Sequence, residues 1–298
     1  MKTARAGDRT GWGVVRALAL AALPWLAAAC GGSANLTPEQ ELYAGRAMSA
    51  NVLSGYSKVY EDPALNEYVY KVGTLVAMCS DRAETFRGPY NSYRFTILDN
   101  DTPNAFGAPS GFIFITKGLI RKCETEDELA AVLAHEVTHV VLKHPEDAAA
   151  QAKRNADAQK GVGAVGSIIS FVGTVKQDEK LQAWGGTVSD FATAMDEICN
   201  IFEKGFSREQ EYAADAGALL LLSRVGYDPL ALQRMLKRLG ERKSGVRGWA
   251  GDTHPAPQER VQEIDKELAR RQAEGKPLRG RVDDVRTARF KAAMGGMK

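Results

Sequence analysis

The chain has 298 residues, of which 44% are hydrophobic and 26% charged, a composition typical of a globular protein. Its 29 glycines, 11 prolines and 4 cysteines exclude collagen-like, disordered and disulfide-framework proteins. No uninterrupted apolar run reaches the ~20 residues of a spanning helix, which excludes a multi-pass membrane protein. The formal net charge is only +2, and nothing in it indicates a nucleic-acid partner.

Residues 1–29 have the pattern of an export signal peptide. A basic stretch that ends at Arg16 precedes thirteen uncharged residues, and three alanines stand directly before Cys30. Small residues before a cysteine resemble a bacterial lipobox, so we expect a lipid on Cys30 and a lipidated tether over residues 30–38. Gly31 follows instead of an aspartate, which by the same resemblance indicates the periplasmic face of the outer membrane. An ordinary signal peptide with an incidental Cys30 is the alternative.

Three cysteines follow Cys30, which is an odd number for an exported protein in an oxidising compartment. Cys79, Cys123 and Cys199 allow one disulfide with one free thiol, or three buried free thiols. The sequence does not choose between these arrangements.

Two short strands and six helices are predicted. The strands are Tyr93–Leu98 and Gly111–Thr116, which are joined by the breaker-rich loop Asn100–Ser110 and therefore predict an antiparallel pair. Periodicity and end signals place the helices at about residues 39–60, 63–80, 125–143, 207–226, 228–240 and 258–274.

Two further segments have compositions of their own. Gly161–Gly173 is small and apolar but too short to span a membrane, and core packing, a mobile lid and a membrane-touching patch all stay open. Residues 275–298 contain seven Lys or Arg against two Asp, which predicts a basic, flexible tail.

The chemistry is carried by His135-Glu136-x-x-His139 inside the helix that starts at Thr125. Four residues turn a helix by about 400°, so both imidazoles lie on one face and can converge on one ion. Glu136 lies on the flank, where it can take a proton from a water without binding the metal. This spacing predicts a divalent metal site, with zinc the expected ion.

A catalytic zinc needs a third protein ligand. We expect this to be Glu211, one turn into the next capped helix, with Asp215 one turn further on the same face to accept the N–H of a ligand imidazole. Ala213 and Ala214 are small enough to let the two helices approach. A solvated acid at a helix N-terminus is the alternative for Glu211.

The chain has two other histidines, His144 and His254. His254 lies in a breaker-rich loop, from which it could donate to the oxyanion that forms when a carbonyl is attacked. An exposed loop histidine is the alternative. His144 is nine residues after His135, which is half a turn off the ligand face of a continuous helix, so we expect it to point away from the ion in a structural or supporting role.

Five segments together resemble the HtpX-like gluzincin metallopeptidases, the family of the CAAX prenyl proteases and of several bacterial periplasmic proteases. They are PNAFGAPSGFIFITKGL at 103–119, HEVTHVVLKH at 135–144, REQEYAAD at 208–215, GYDP at 226–229 and THPAPQER at 253–260. The resemblance implies one zinc ion per chain, held by His135, His139 and Glu211, with Glu136 as the base and His254 as an assistant.

The fold that we expect is α+β and mostly helical: a zincin-like peptidase domain over residues 39–274 with a small antiparallel sheet beside the HExxH helix. The chain has neither the multi-span helices of some family branches nor the tetratricopeptide extension of others. It therefore resembles the short lipoprotein branch most, and a prenylated substrate is not expected.

The expected function is zinc-dependent endopeptidase activity against misfolded outer-membrane or periplasmic proteins. Zinc and Glu136 would activate the attacking water, and the substrate would pair along Gly111–Thr116 as an edge strand. Three alternatives use the same cleft: a chaperone-like binder that cuts little, a scaffold with a closed four-ligand zinc, and a latent protease closed by residues 146–206.

Overall fold

The structure, a computed structural model, describes residues 38–83, 93–147, 205–241 and 254–297. The signal peptide, Cys30, Cys199 and the 161–173 segment lie outside these ranges. The helices and strands, in chain order, are α1 (Pro38–Asn51), α2 (Pro63–Met78), β1 (Arg94–Leu98), β2 (Ala105–Ala108), β3 (Phe112–Thr116), α3 (Lys117–Ile120), α4 (Glu126–Val141), α5 (Arg208–Val225), α6 (Ala231–Glu241), α7 (Pro257–Ala273) and α8 (Asp284–Met294).

The helix ends follow the signals in the sequence. The Thr125 hydroxyl accepts a hydrogen bond from the Glu128 N–H and starts α4. Ser207 and Gln210 form a reciprocal capping box at the start of α5, and Gly226 ends that helix with a φ of 87°. The predicted helix over 39–60 is shorter, because α1 ends at Asn51 and continues as one π-helical turn.

The fold class is confirmed as mostly helical with a small sheet, but the predicted strand pairing is wrong. Residues 94–98 pair in parallel with 112–116, and the sheet order is β1-β3-β2. The reason is β2, which lies inside the predicted loop and pairs antiparallel with β3. Its sequence, Ala-Phe-Gly-Ala, has little β-propensity and by itself does not predict a strand. β3 is consequently the central strand and not an edge.

Helix α4 forms the centre of the core. Every residue from Glu126 to Val140 is buried, because α2, α5, α6 and the sheet all pack around it. The sequence gives α4 an apolar side for this packing through Leu129, Val132, Leu133 and Val137, all of which are fully buried. The helix therefore holds its polar residues in a fixed, dry environment.

The first turn of α4 has three buried carboxylates, and each one meets an arginine from a distant segment. Glu128 accepts from Arg238 of α6, Asp127 from Arg286 of α8, and Glu126 from Arg289 of α8. These arginines lie 110 to 163 residues away from their partners in the chain. Burial of these acids is possible because each one is paired and hydrogen-bonded.

Residues 284–294 differ from the expected solvated tail. They form helix α8, which Asp283 caps and which packs against α2 and α4. Phe290 is buried beside the ring of Tyr68, and the Arg286 guanidinium lies over the ring of Tyr227. The charge composition of residues 275–298 predicts a tail, but Phe290, Ala293 and Met294 lie on one side of α8, and this side packs against the core.

Within the described residues, no helix combines the length and the apolar character that crossing a bilayer requires.

If α8 is part of the core, Phe290→Ala should lower the free energy of unfolding by about 3 kcal/mol, because a buried aromatic ring is removed. Lys291→Ala is the matched control on the exposed side of the same helix and should stay within about 0.5 kcal/mol of the parent. Urea denaturation followed by circular dichroism measures both. Equal stability of the two variants would contradict the docked helix.

Candidate metal centre

Helices α4 and α5 bring His135, His139 and Glu211 together, as predicted. The two Nε2 atoms are 3.1 Å apart. Glu211 reaches both rings, with Oε2 3.4 Å from His135 Nε2 and Oε1 3.6 Å from His139 Nε2. All three side chains are fully buried. The solvated-acid alternative for Glu211 is therefore wrong.

Small residues on α5 allow this close approach. A Cβ atom on Gly217 would lie 2.3 Å from Thr138 Cγ2, so only glycine fits at that crossing point. Ala214 and Ala218 are fully buried on the same side. The sequence correctly suggested Ala214 for this role, but Ala213 is exposed on the other side of the helix.

His254 joins the same group and is not an exposed loop residue. Its Nδ1 atom lies 2.5 Å from Glu211 Oε2, and its side chain is buried. One ligand atom from each of His135, His139, Glu211 and His254 can be chosen so that all four lie within 4.8 Å of one another. The structure thus brings together four candidate ligands where the sequence predicted three with an assistant.

The spacing and charge of these groups fit a divalent cation. Bonds of 2.0–2.1 Å in a tetrahedral zinc site place neighbouring ligand atoms about 3.3 Å apart, close to the 3.1, 3.4 and 3.6 Å found here. Among the buried side chains around the cluster, the carboxylates of Glu136, Glu211 and Asp215 face one guanidinium, that of Arg260. With neutral imidazoles, two negative charges stay uncompensated.

Asp215 lies where the sequence predicted, behind His135. Its Oδ1 is 3.0 Å from His135 Nδ1, so the ring can donate to it while Nε2 faces the cluster. Burial and Arg260 both disfavour a charged ring, but the hydrogen bonds to Asp215 and Glu211 outweigh them and raise the pKa of His135 to about 9. The site therefore attracts positive charge.

Arg260 is a component that sequence reasoning missed. It is fully buried, and its Nε and Nη2 atoms donate to the two Asp215 oxygens at 2.9 and 2.6 Å. Nη2 also lies 3.4 Å from His135 Nδ1. The signal was present, because Arg260 shares with Ile264 the buried side of α7. An arginine on an apolar helix side needs a buried anion as its partner.

His144 lies against His139 and does not point away from the cluster. Its Nδ1 atom is 2.9 Å from His139 Nδ1. The prediction assumed a continuous helix, but α4 ends at Val141 and Lys143 has a φ of 59°, which turns the chain back. Burial lowers the pKa of His144 to about 4, so its ring is neutral. The Phe206 ring stacks on the His139 ring, with ring centroids 4.2 Å apart.

Glu136 and strand β2 form the side of the site next to the sheet. Glu136 is fully buried and follows His135 on α4. A Cβ atom on Gly107 of β2 would lie 3.0 Å from the Glu136 carbonyl oxygen, so this glycine lets the strand approach the helix closely. Among the described strands, β2 and not β3 is the edge strand nearest to Glu136.

A buried polar cluster lies below the C-terminal end of α4. Glu41 accepts from Arg82 and Lys143 at 2.8 Å each, and Glu146 lies nearby. The two Glu146 carboxyl oxygens are buried and accept no hydrogen bond from any other residue that the structure describes. Burial, reinforced by the charge of Glu41, raises the pKa of Glu146 to about 7.

Two of the three cysteines that follow Cys30 lie within the described residues. Cys79 and Cys123 are both free thiols, so a disulfide between these two is excluded. Burial raises the pKa of the Cys123 thiol far above its ordinary value, which makes this group inert.

Comparison with known proteins agrees with the geometry. The profile of peptidase family M48 matches residues 66–268. The chain is similar to the beta-barrel assembly-enhancing protease of Escherichia coli O157:H7, with 28% identity over 70% of this chain and 40% of that protein. It is 32% identical to the mitochondrial metalloendopeptidase OMA1 of Schizosaccharomyces pombe over 58% of this chain and 45% of that protein. It is 27% identical to the metalloprotease LoiP of Escherichia coli K12 over 70% of this chain and 73% of that protein. The chain thus spans less than half the length of the first two relatives.

Glu146 gives a prediction for stability against pH. Since its pKa is about 7 when folded and near 4.5 when unfolded, the folded state binds the extra proton between these values, and stability falls as pH rises through this window. Glu146→Gln removes this penalty and should be more stable than the parent by about 3 kcal/mol at pH 8, with little difference near pH 4.5.

Urea denaturation at the two pH values measures the effect. Glu61→Gln, at an exposed carboxylate, is the control and should follow the parent at both. A Glu146→Gln variant that is less stable than the parent at pH 8 would refute a buried, uncompensated carboxylate.

Proposed function

Because the chain belongs to peptidase family M48, we propose that it is a zinc-dependent endopeptidase of the bacterial cell envelope. One observation carries the proposal: two imidazoles and a carboxylate are buried at tetrahedral ligand spacing directly beside Glu136. His135, His139 and Glu211 would hold one zinc ion per chain, and the two uncompensated negative charges favour a divalent cation.

The chemistry divides between the metal and the side chains. When bound, zinc supplies a Lewis acid that polarises a carbonyl and promotes deprotonation of water near neutral pH. Glu136 accepts the proton of the attacking water and delivers it to the leaving amine as the peptide bond breaks. His254 donates a hydrogen bond to the oxyanion once its ring leaves Glu211. Asp215 and Arg260 keep His135 in the tautomer whose Nε2 carries no proton and faces the cluster.

The substrate backbone is proposed to pair with β2. β3 has neighbours on both sides, so it cannot accept another strand. β2 is an edge strand among those described, and Gly107 holds it against the backbone of Glu136. Main-chain pairing at this edge would bring the scissile carbonyl beside Glu136. Recognition of this kind depends on backbone more than on side chains.

Such recognition suits unfolded chains, so the proposed substrates are misfolded outer-membrane or periplasmic proteins. The export signal in residues 1–29 and the similarity to a protease named for beta-barrel assembly support this location and substrate class. A lipid on Cys30 would attach the enzyme to the periplasmic face of the outer membrane.

Glu136→Gln should reduce casein degradation by about 10²–10⁴-fold, because the amide cannot accept the proton of water. Zinc content, measured by elemental analysis, should stay near one ion per chain, since this residue is not a ligand. The parent should lose its activity with a chelator and regain it with zinc. A parent that is metal-free and inert would overturn the proposal.

The same variant separates proteolysis from chaperone-like binding. A binder that cuts little should protect an unfolded client from aggregation equally well with Glu136 or Gln at this position. If parent and variant both suppress aggregation and neither releases peptides, the binding function replaces the proteolytic one.

A latent protease is the second candidate, because His254 lies among the candidate ligands and would close the site as a fourth one. His254→Ala distinguishes the two roles in the same casein assay. As an oxyanion donor, His254 supports turnover, and its loss should lower kcat by about 10²-fold. A rise in kcat would identify His254 as the group that keeps the site closed.

A further inference from the structure

The contact between His144 and His139 has a defined direction. His139 presents Nε2 to the cluster, 3.1 Å from His135 Nε2 and 3.6 Å from Glu211 Oε1. Its other nitrogen, Nδ1, faces Nδ1 of His144 at 2.9 Å. Two nitrogens at this distance share one proton, so one ring donates and the other accepts.

We propose that His144 is a positioning residue that fixes the tautomer and the ring orientation of His139 for metal binding. This inference rests on the proposed zinc site. To bind a metal through Nε2, His139 must carry its proton on Nδ1. His139 then donates to His144, which accepts at Nδ1 and carries its own proton on Nε2.

The backbone is built to bring His144 to this position. In a continued helix, five residues would turn His144 by about 500°, some 140° away from His139. The left-handed conformation of Lys143 reverses the chain instead. A non-glycine residue in this region carries a conformational cost. The ion pair of Lys143 Nζ with buried Glu41 at 2.8 Å helps to hold the turn.

The two ligand histidines therefore have different supports. His135 donates to the carboxylate of Asp215, which Arg260 neutralises. His139 would donate to a neutral imidazole, which adds no charge. Phe206 stacks on one side of His139 and His144 lies at its Nδ1 edge, so little rotation of this ring is possible.

The test compares His144→Leu with His144→Asn in the whole chain. Leucine keeps bulk but accepts no hydrogen bond, whereas the Asn side-chain oxygen can occupy the place of Nδ1 and accept. Competition with a chromophoric chelator measures zinc affinity. We expect affinity to fall 10–100-fold in the Leu variant and to stay within about threefold of the parent in the Asn variant.

Leu142→Ala, in the same turn but with an exposed side chain, is the control and should bind zinc as the parent does. Melting temperatures of the zinc-free proteins report on folding separately from metal binding. Equal zinc affinity of the Leu variant and the parent would overturn the inference, as would equal weakening by Leu and Asn. A parent that binds no zinc would instead overturn the proposed function.

Discussion

The site depends on one packing constraint, the close contact between α4 and α5. Glu211 reaches both imidazoles only because the two helix backbones approach where Gly217 meets Thr138. Both helices also have to be fixed along their axes, since a shift of one residue would move Glu211 by about 1.5 Å and turn it by about 100°. The caps at Thr125 and Ser207 define where each helix starts.

The buried acids in the first turn of α4 and those around the candidate metal site differ in how many arginines neutralise them. In the first turn of α4, three buried carboxylates meet three arginines. Two turns later, the buried carboxylates of Glu136, Glu211 and Asp215 have Arg260 as their one buried arginine among the described residues. In the first turn of this helix the buried acids are matched by arginines, whereas the buried acids around His135 and His139 outnumber the one buried arginine beside them and favour the binding of positive charge.

Sequence reasoning found those parts of the site that depend on regular geometry. The sequence places His135 and His139 four residues apart in one helix, and Glu211 and Asp215 four residues apart in another. Because each helix has a clear N-cap, this spacing predicts which side chains lie on the same face. Sequence reasoning missed Arg260, because the position of this arginine on the same side of α7 as Ile264 predicts a buried anion but does not say which one. It misplaced His144, because Lys143 leaves the helix without a glycine to signal the turn. It missed β2, whose four residues form a strand through their partner β3 and not through their own propensity.

The arginines of α8 have a consequence for how this molecule matures. Glu126 and Arg289 are 163 residues apart in sequence, and Asp127 and Arg286 are 159 apart. Contacts between such distant residues form slowly, since a long stretch of chain must be ordered before they are made. Helix α4, which carries the candidate ligands His135 and His139, is thus held at its first turn by residues near the opposite end of the sequence. If the cluster binds zinc as proposed, the ion would bind only after these distant contacts have formed, so activity would depend on the completion of folding.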